Sequence, residues 1–221
     1  MKTFCKIISF VFHPVFMVMY SYFIYFHMDS IYNQMLFLAA PKIYFPLFSF
    51  LFLMAVFFPL LTVHIMHKNK LISSIAIPKR KERLPVLALV IIYYSMTYYI
   101  FRYWNTTLLN LLHPYLSFLF AGLILLLLLT LITLKWKISV HAMGISGVLG
   151  MLFATGEHIS SSFYMLPENP IFWPVISFIF LSGAICSSRL ILKAHTPGQI
   201  YAGLIVGFFC LYLPVKFLIV L

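Results

Sequence analysis

The chain has 221 residues, of which 63% are hydrophobic and only 9% are charged. Soluble globular domains are about 45–50% apolar and about 25% charged, so the composition excludes an ordinary soluble domain and indicates a multi-pass membrane protein. The net charge of +11 comes from 15 Lys and Arg against 4 Asp and Glu. In so apolar a chain, this excess indicates basic loops on one side of a membrane or contact with lipid phosphates, and no nucleic-acid partner is predicted.

Segments of about 20 apolar residues, the length at which a helix crosses a bilayer, recur along the chain. The first follows Lys2 and Lys6 and lacks a small-residue cleavage site, which favours an uncleaved helix over a signal peptide. We predict an all-α polytopic transmembrane helix bundle of about six or seven spans, forming a single integral membrane domain over residues 1–221. Seven is our count, with six or eight as alternatives, over 7–27, 43–66, 86–103, 114–134, 140–155, 171–187 and 197–219.

The basic residues are concentrated on one side of the predicted bundle. With seven spans, that side carries Lys2, Lys6, Lys68, Lys70, Lys79, Arg80, Lys81, Arg83, Lys135, Lys137, Arg189 and Lys193. The other side carries Lys42, Arg102 and Lys216, with Asp29, Glu157 and Glu168. The positive-inside rule makes the basic side cytoplasmic, although basic residues that bind phosphate would weaken the rule. We predict an integral protein of a bacterial inner (cytoplasmic) membrane.

Three predicted helices begin at the basic side. Pro85 opens one, Ser139 precedes another, and Thr196 with Pro197 opens the last, which are typical helix-start residues. Helix N-termini attract anions through unpaired N–H groups and the helix dipole. With nearby arginines and histidines, these starts predict a phosphate-binding site at the membrane surface.

The stretch SRLILKAHTPGQ, residues 188–199, resembles the third motif of the type 2 phosphatidic acid phosphatase superfamily: Ser-Arg, five residues, His, three residues, Asp. Ser188, Arg189 and His195 match it in spacing. The sequence ISVH at 138–141 resembles the second motif, Pro-Ser-Gly-His, at Ser139 and His141. RLP at 83–85 resembles the end of the first motif, with Arg83 one residue further from its proline. The lysine of that motif would fall at Ala76, and Lys79 or Lys70 is a nearby substitute.

The resemblance implies a phosphatase-like membrane fold and a role for each matching residue. His195 would be the nucleophile, and His141 would be the general acid that protonates the leaving alcohol. Bound phosphate oxygens would contact Arg189, Arg83, Lys79, Ser139 and Ser188. The chemistry is sound, since neutral imidazole is a competent nucleophile near pH 7 and guanidinium groups match phosphate geometry.

Gln199 stands where the superfamily has Asp. That Asp would orient the nucleophilic histidine and stabilise its developing positive charge, whereas a Gln carbonyl can orient the ring but carries no charge. In another enzyme class, Asp→Asn beside a catalytic His costs roughly 10⁴-fold in rate. T-P-G-Q also fits a capping box, in which Gln199 bonds back to Thr196 for a purely structural reason. Both interpretations stay open.

The predicted function is hydrolysis of a phosphate monoester or diphosphate on a membrane lipid through a phosphohistidine, without a metal or cofactor. One alternative is a weakened or inactive homologue that binds or moves a phospholipid, and another is a scaffold with no ligand site. The sequence leaves the oligomeric state open.

Several other residues are explained by structural roles alone. His64 and His67 have the spacing of a metal pair but no carboxylate or Cys beside them, so no metal site is predicted. His13-Pro14 indicates a helix kink or end. Gly203 with Gly207, and Gly144, Gly147 and Gly150, predict close helix packing.

Overall fold

The computed structural model describes residues 1–75, 77, 79–103, 109–159 and 169–220. Within these residues the regular structure is entirely helical. In the described part of the chain, six helical segments are long and apolar enough to cross a membrane: Lys2–His27, Pro41–Lys68, Arg80–Tyr103, Leu111–Lys135, Phe172–Ile191 and Pro197–Lys216. The predicted all-α, multi-pass membrane architecture is therefore confirmed at this level.

The first two segments are interrupted helices. In the first, α1 (Lys2–Val11) meets α2 (Met17–His27) through a 3₁₀ turn at Pro14–Phe16. The proline explains the break, since it lacks the N–H that a continuous helix needs. A short helix, α3 (Ile31–Ala39), follows outside any predicted span. The second segment contains α4 (Tyr44–Phe52), a π-helical turn at Leu53–Phe57 and α5 (Phe58–Lys68).

The remaining helices are α6 (Arg80–Tyr103), α7 (Leu109–Lys135), α8 (Val140–Ile159), α9 (Phe172–Ile191) and α10 (Pro197–Lys216). The predicted fifth segment corresponds to α8, which is not among the six helices that meet the length and hydropathy criteria. It contains fully buried residues such as Ala142, Ile145 and Leu152. Because protein surrounds this helix, it needs less apolar character than a lipid-facing one.

Glycines let α8 and α10 approach closely in a parallel pair. A Cβ on Gly203 would meet the Ser139 carbonyl at 2.9 Å, and one on Gly207 would clash with the Met143 backbone. Further along, Gly150 faces the Phe208 backbone. This confirms the predicted role of the glycines in packing and brings the two helix starts to the same end of the bundle.

The predicted start of the third span was wrong. Helix α6 begins at Arg80, so Pro85 lies inside the helix instead of opening it. An acidic residue in the first turn, Glu82, favours the earlier start through the helix dipole. Its carboxylate also accepts hydrogen bonds from the Ser73 N–H at 2.9 Å and the Ser73 hydroxyl at 2.8 Å. Arg83 consequently projects from the first turn of α6.

Candidate functional site

One end of the bundle gathers basic side chains from four different parts of the chain. The positive charges of Arg189, Lys137 and Arg83 all act on His195, and Arg189 and His195 both interact electrostatically with His141. His195 is 9% exposed. It lies on the wall of an open cavity of about 510 Å³, which also includes Lys137, Thr196 and Gln199. The structure thus brings together residues from all three motif-like stretches.

The end of α9 fixes the direction of the third stretch. The Ala194 N–H bonds to the Arg189 carbonyl at 3.0 Å, and the Lys193 N–H bonds to the Leu190 carbonyl at 2.9 Å. Lys193 has φ of 51°, so this is a Schellman ending with a left-handed residue just after the helix. The reversal ends α9 soon after Arg189 and starts α10 soon after His195, which places both side chains at the same end.

Gln199 performs both of the roles that the sequence left open. Its Oε1 accepts a hydrogen bond from His195 Nδ1 at 3.0 Å and another from the Thr196 N–H at 3.3 Å. One carbonyl oxygen therefore orients the histidine ring and caps the start of α10. The structural and functional interpretations of this residue are compatible.

The Gln199 contact fixes the tautomer of His195. A carbonyl oxygen cannot donate, so Nδ1 carries the proton and Nε2 of the neutral ring keeps its lone pair. Burial lowers the pKa of His195 to about 4; the Gln199 bond opposes that shift and the charges of Arg189, Lys137 and Arg83 add to it. At neutral pH the ring is therefore uncharged, with Nε2 chemically available as a nucleophile.

This protonation state predicts the reactivity of His195 toward diethyl pyrocarbonate, which acylates neutral imidazole. Because the pKa of His195 is lowered to about 4 from an ordinary value of about 6.5, the ring should stay reactive as the pH falls below 6. We expect half-maximal modification near pH 4, measured by mass spectrometry of the His195 peptide. Half-maximal modification near pH 6.5 would contradict the assigned environment.

Arg189 and Arg83 are held differently. The Nε of Arg83 donates to the Ile77 carbonyl at 3.1 Å, which ties the side chain to the segment before α6. The Nε of Arg189 is buried and has no hydrogen-bond partner among the described residues. The two guanidinium groups interact unfavourably with each other, so an anion between them would relieve the repulsion.

Lys137 supplies a third cation, from the connection between α7 and α8. Its Nζ donates to the Ala194 carbonyl at 2.9 Å, beside His195. Burial first, and then the charges of Arg83 and Arg189, lower the pKa of Lys137. The sequence identified Lys137 only as a residue of the basic side. Its approach to His195 depends on the packing of α8 against α10, which the spacing of Lys137 along the chain does not reveal.

His141 lies near the start of α8 and contacts the N-terminal helix. Its Nε2 lies 3.0 Å from the Ser9 carbonyl, which can only accept, so Nε2 carries a proton. The His141 ring also packs edge-on against His13, with 5.2 Å between ring centroids. His13 interacts electrostatically with Arg189 as well. His13 therefore belongs to the polar cluster, and interpreting it as only a helix kink was incomplete.

The remaining predicted phosphate ligands occupy other positions. Ser139 is fully buried and its Oγ accepts from the Ala142 N–H at 3.4 Å, as a cap of α8. Ser188 is buried in the last turn of α9. Lys79 is 67% exposed and pairs with Glu82 at 3.2 Å. Ala76, the position of the superfamily lysine, lies outside the described residues.

No protein-family model matches the chain, and neither the search of curated proteins nor the search of solved structures finds a similar protein. The motif-like stretches and the geometry of this site are therefore the features that bear on function.

Proposed function

We propose that this protein is a divergent member of the type 2 phosphatidic acid phosphatase superfamily that hydrolyses a lipid phosphate or diphosphate. The observation that carries the proposal is the arrangement around His195: a neutral ring oriented by Gln199, with Arg189, Lys137 and Arg83 acting on it. A nucleophile among fixed cations suits phosphoryl transfer, because such cations stabilise the charge on the transferring group.

The proposed reaction has two balanced steps. In the first, His195 Nε2 attacks phosphorus and the bond to the lipid oxygen breaks, while His141, protonated when the anionic substrate binds, gives that oxygen a proton. In the second, water attacks the phosphohistidine and gives a proton back to His141, the P–N bond breaks, and inorganic phosphate and free His195 result. Arg189, Arg83 and Lys137 hold the phosphoryl oxygens throughout, Arg through bidentate hydrogen bonds.

The direct test is release of inorganic phosphate by purified protein in detergent micelles. Dioleoyl phosphatidic acid and farnesyl diphosphate provide a monophosphate and a diphosphate substrate. We expect release from at least one of them above the rate of a Lys137→Ala, Arg189→Ala double variant. Equal rates of phosphate release by the wild type and the double variant would contradict the proposed activity.

Lys137 and Lys79 form a matched pair for testing the composition of the site. Lys137 acts electrostatically on His195, whereas Lys79 is exposed and paired with Glu82. We expect Lys137→Ala to lower kcat/KM by about 10- to 100-fold, because a charged hydrogen bond to phosphate is lost. Lys79→Ala should change it by less than about twofold. A larger loss of kcat/KM for Lys79→Ala than for Lys137→Ala would instead support Lys79 as the phosphate ligand, as the sequence predicted.

A second candidate function is binding or moving a phospholipid without hydrolysis. The neutral side chain of Gln199 favours it, because an imidazolium that forms during the reaction would lack a neighbouring carboxylate. This candidate shares the same cationic site. Saturable binding of phosphatidic acid that requires Arg189, together with no phosphate release, would favour it over catalysis.

We also propose a bacterial inner membrane location with the site on the cytoplasmic face, from the distribution of basic residues. Lys193 lies beside His195 in the same connection, so a cysteine at this position would report the side. In a variant lacking the three native cysteines, Lys193→Cys should resist an impermeant maleimide in intact cells and react after permeabilisation. Labelling in intact cells would place the site on the opposite face of the membrane.

A further inference from the structure

A second set of polar side chains lies around His141. It contains Ser9 of α1, His13 at the break before α2, and the buried part of Arg189 on α9. His141 joins the two regions, since it bonds to the Ser9 carbonyl, packs on His13 and interacts electrostatically with His195. We call Ser9, His13, His141 and Arg189 the inner cluster.

Two atoms of the inner cluster have unused hydrogen-bonding capacity. Ser9 is 7% exposed and its Oγ has no partner among the described residues. The Nε of Arg189 is likewise buried and unpartnered within the same part of the chain. Leaving such groups unsatisfied in an apolar interior is unfavourable, and more so for a charged group. Their chemistry points to an acceptor, because Arg Nε can only donate and a serine hydroxyl donates readily.

The hydrogen-bond pattern of the histidines is consistent with an anionic partner. Nδ1 of His13 accepts from the Val15 N–H at 3.4 Å, which leaves its Nε2–H as a donor. His141 also presents a donating Nε2–H, now directed at the Ser9 carbonyl. The inner cluster therefore has four donor groups, from α1, α8, α9 and the break before α2, of which the His141 donor is already used by the Ser9 carbonyl. Its one ionised side chain, Arg189, is a cation.

We propose that the inner cluster is a second phosphate subsite, so that the preferred substrate carries a diphosphate instead of a single phosphate. The terminal phosphoryl group would lie among His195, Lys137 and Arg83, and the phosphoryl group bonded to the lipid would lie against Ser9, His13 and Arg189. Arg189 interacts electrostatically with all three histidines, which suits it to contact both groups.

The subsite also identifies the leaving group that His141 would protonate, and this step depends on the proposed function. When His195 takes the terminal phosphoryl group from a diphosphate, the bridging P–O bond breaks and the lipid monophosphate departs. Its charged oxygens would be the atoms that the inner cluster binds. A lipid monophosphate offers only an alcohol oxygen at this place, so it would leave Ser9 Oγ and Arg189 Nε without an acceptor.

The experiment compares pyrophosphate with inorganic phosphate as ligands of the full-length protein in detergent micelles, by isothermal titration calorimetry. The variant is Ser9→Ala, which removes only a hydroxyl and keeps the carbonyl that bonds to His141. The matched control is Ser21→Ala, a buried serine of the same first segment whose hydroxyl already bonds to the Val18 carbonyl at 2.7 Å.

We expect wild-type protein to bind pyrophosphate at least about tenfold more tightly than phosphate, since a second group is bound. Ser9→Ala should weaken pyrophosphate binding by about 5- to 20-fold and leave phosphate binding unchanged. Ser21→Ala should change neither. Equal affinity of the wild type for pyrophosphate and phosphate would by itself overturn the subsite. An equal effect of Ser9→Ala on the binding of the two anions would overturn it as well.

Turnover separates this inference from the proposed function. Phosphate release from both dioleoyl phosphatidic acid and farnesyl diphosphate, with Ser9→Ala lowering kcat/KM only for the diphosphate, supports both. Release with no preference between substrates and no effect of Ser9→Ala overturns the subsite alone. Selective pyrophosphate binding without any release supports the subsite and removes the catalytic proposal.

Discussion

Replacing His195 with alanine is expected to lower phosphate release by at least about 10³-fold while phosphate still binds. The reason lies in the division of roles at the site. In the proposed site, His195 contributes a neutral Nε2 and no charge, whereas Arg189, Arg83 and Lys137 would hold the anion. Binding should therefore remain within a few fold of wild type, as measured by calorimetry with inorganic phosphate.

The control for this variant is His13→Asn, which keeps a hydrogen-bonding side chain at the other histidine of the cluster. With dioleoyl phosphatidic acid, whose single phosphate would not fill the inner cluster, the loss should be much smaller than for His195→Ala. If His195→Ala turned over lipid phosphates at the wild-type rate, the nucleophile would have been assigned incorrectly. If it abolished phosphate binding as well, His195 would be a ligand of the anion.

A carboxylate in place of the Gln199 amide is expected to increase turnover by about 10- to 10³-fold. Gln199→Glu keeps the reach of the 3.0 Å contact to His195 Nδ1 and adds a negative charge beside the ring. That charge stabilises the imidazolium that forms as phosphorus is attacked, which the neutral amide cannot do. The same charge should raise the pKa of His195 from about 4.

Two further variants separate charge from geometry. Gln199→Asp introduces the residue of the resembled motif, with a shorter reach, and Gln199→Asn matches the Asp in size without a charge. We expect Asp to exceed Asn in kcat, and both to keep the helix start, which circular dichroism checks. If neither Glu nor Asp increased turnover while phosphate binding stayed intact, the lipid-binding function would be the better account.

The hydrophobic pattern of the sequence predicted the helical segments well, because an apolar run of membrane length leaves the chain few alternatives. The six segments that meet the membrane criteria all correspond to predicted spans. The His13-Pro14 pair correctly predicted the break of the first segment, whereas no pattern in the sequence predicted α3. The sequence also predicted the start of α6 too late, because Pro85 is a typical helix-start residue. The helix begins at Arg80 instead, where Glu82 in the first turn accepts hydrogen bonds from Ser73.

Within the site, the sequence identified residues whose neighbours along the chain form the motif-like stretches. Arg189, His195 and Gln199 converge because one Schellman turn and one capped helix start connect them, which are local features that spacing can reveal. Lys137 and His13 reach the cluster only through packing of distant helices, so no local pattern could assign them. Ser9 enters through its backbone carbonyl, a group that sequence patterns do not distinguish.

A covalent phosphoryl group on His195 during turnover would be direct evidence for the proposed mechanism. Protein that is turning over farnesyl diphosphate would be quenched in strong base, in which phosphohistidine survives, then digested and examined by mass spectrometry. We predict phosphorylation of the peptide that contains His195 in the wild type, and none in His195→Ala. Wild-type protein that releases phosphate while His195 stays unmodified throughout the time course would contradict the account.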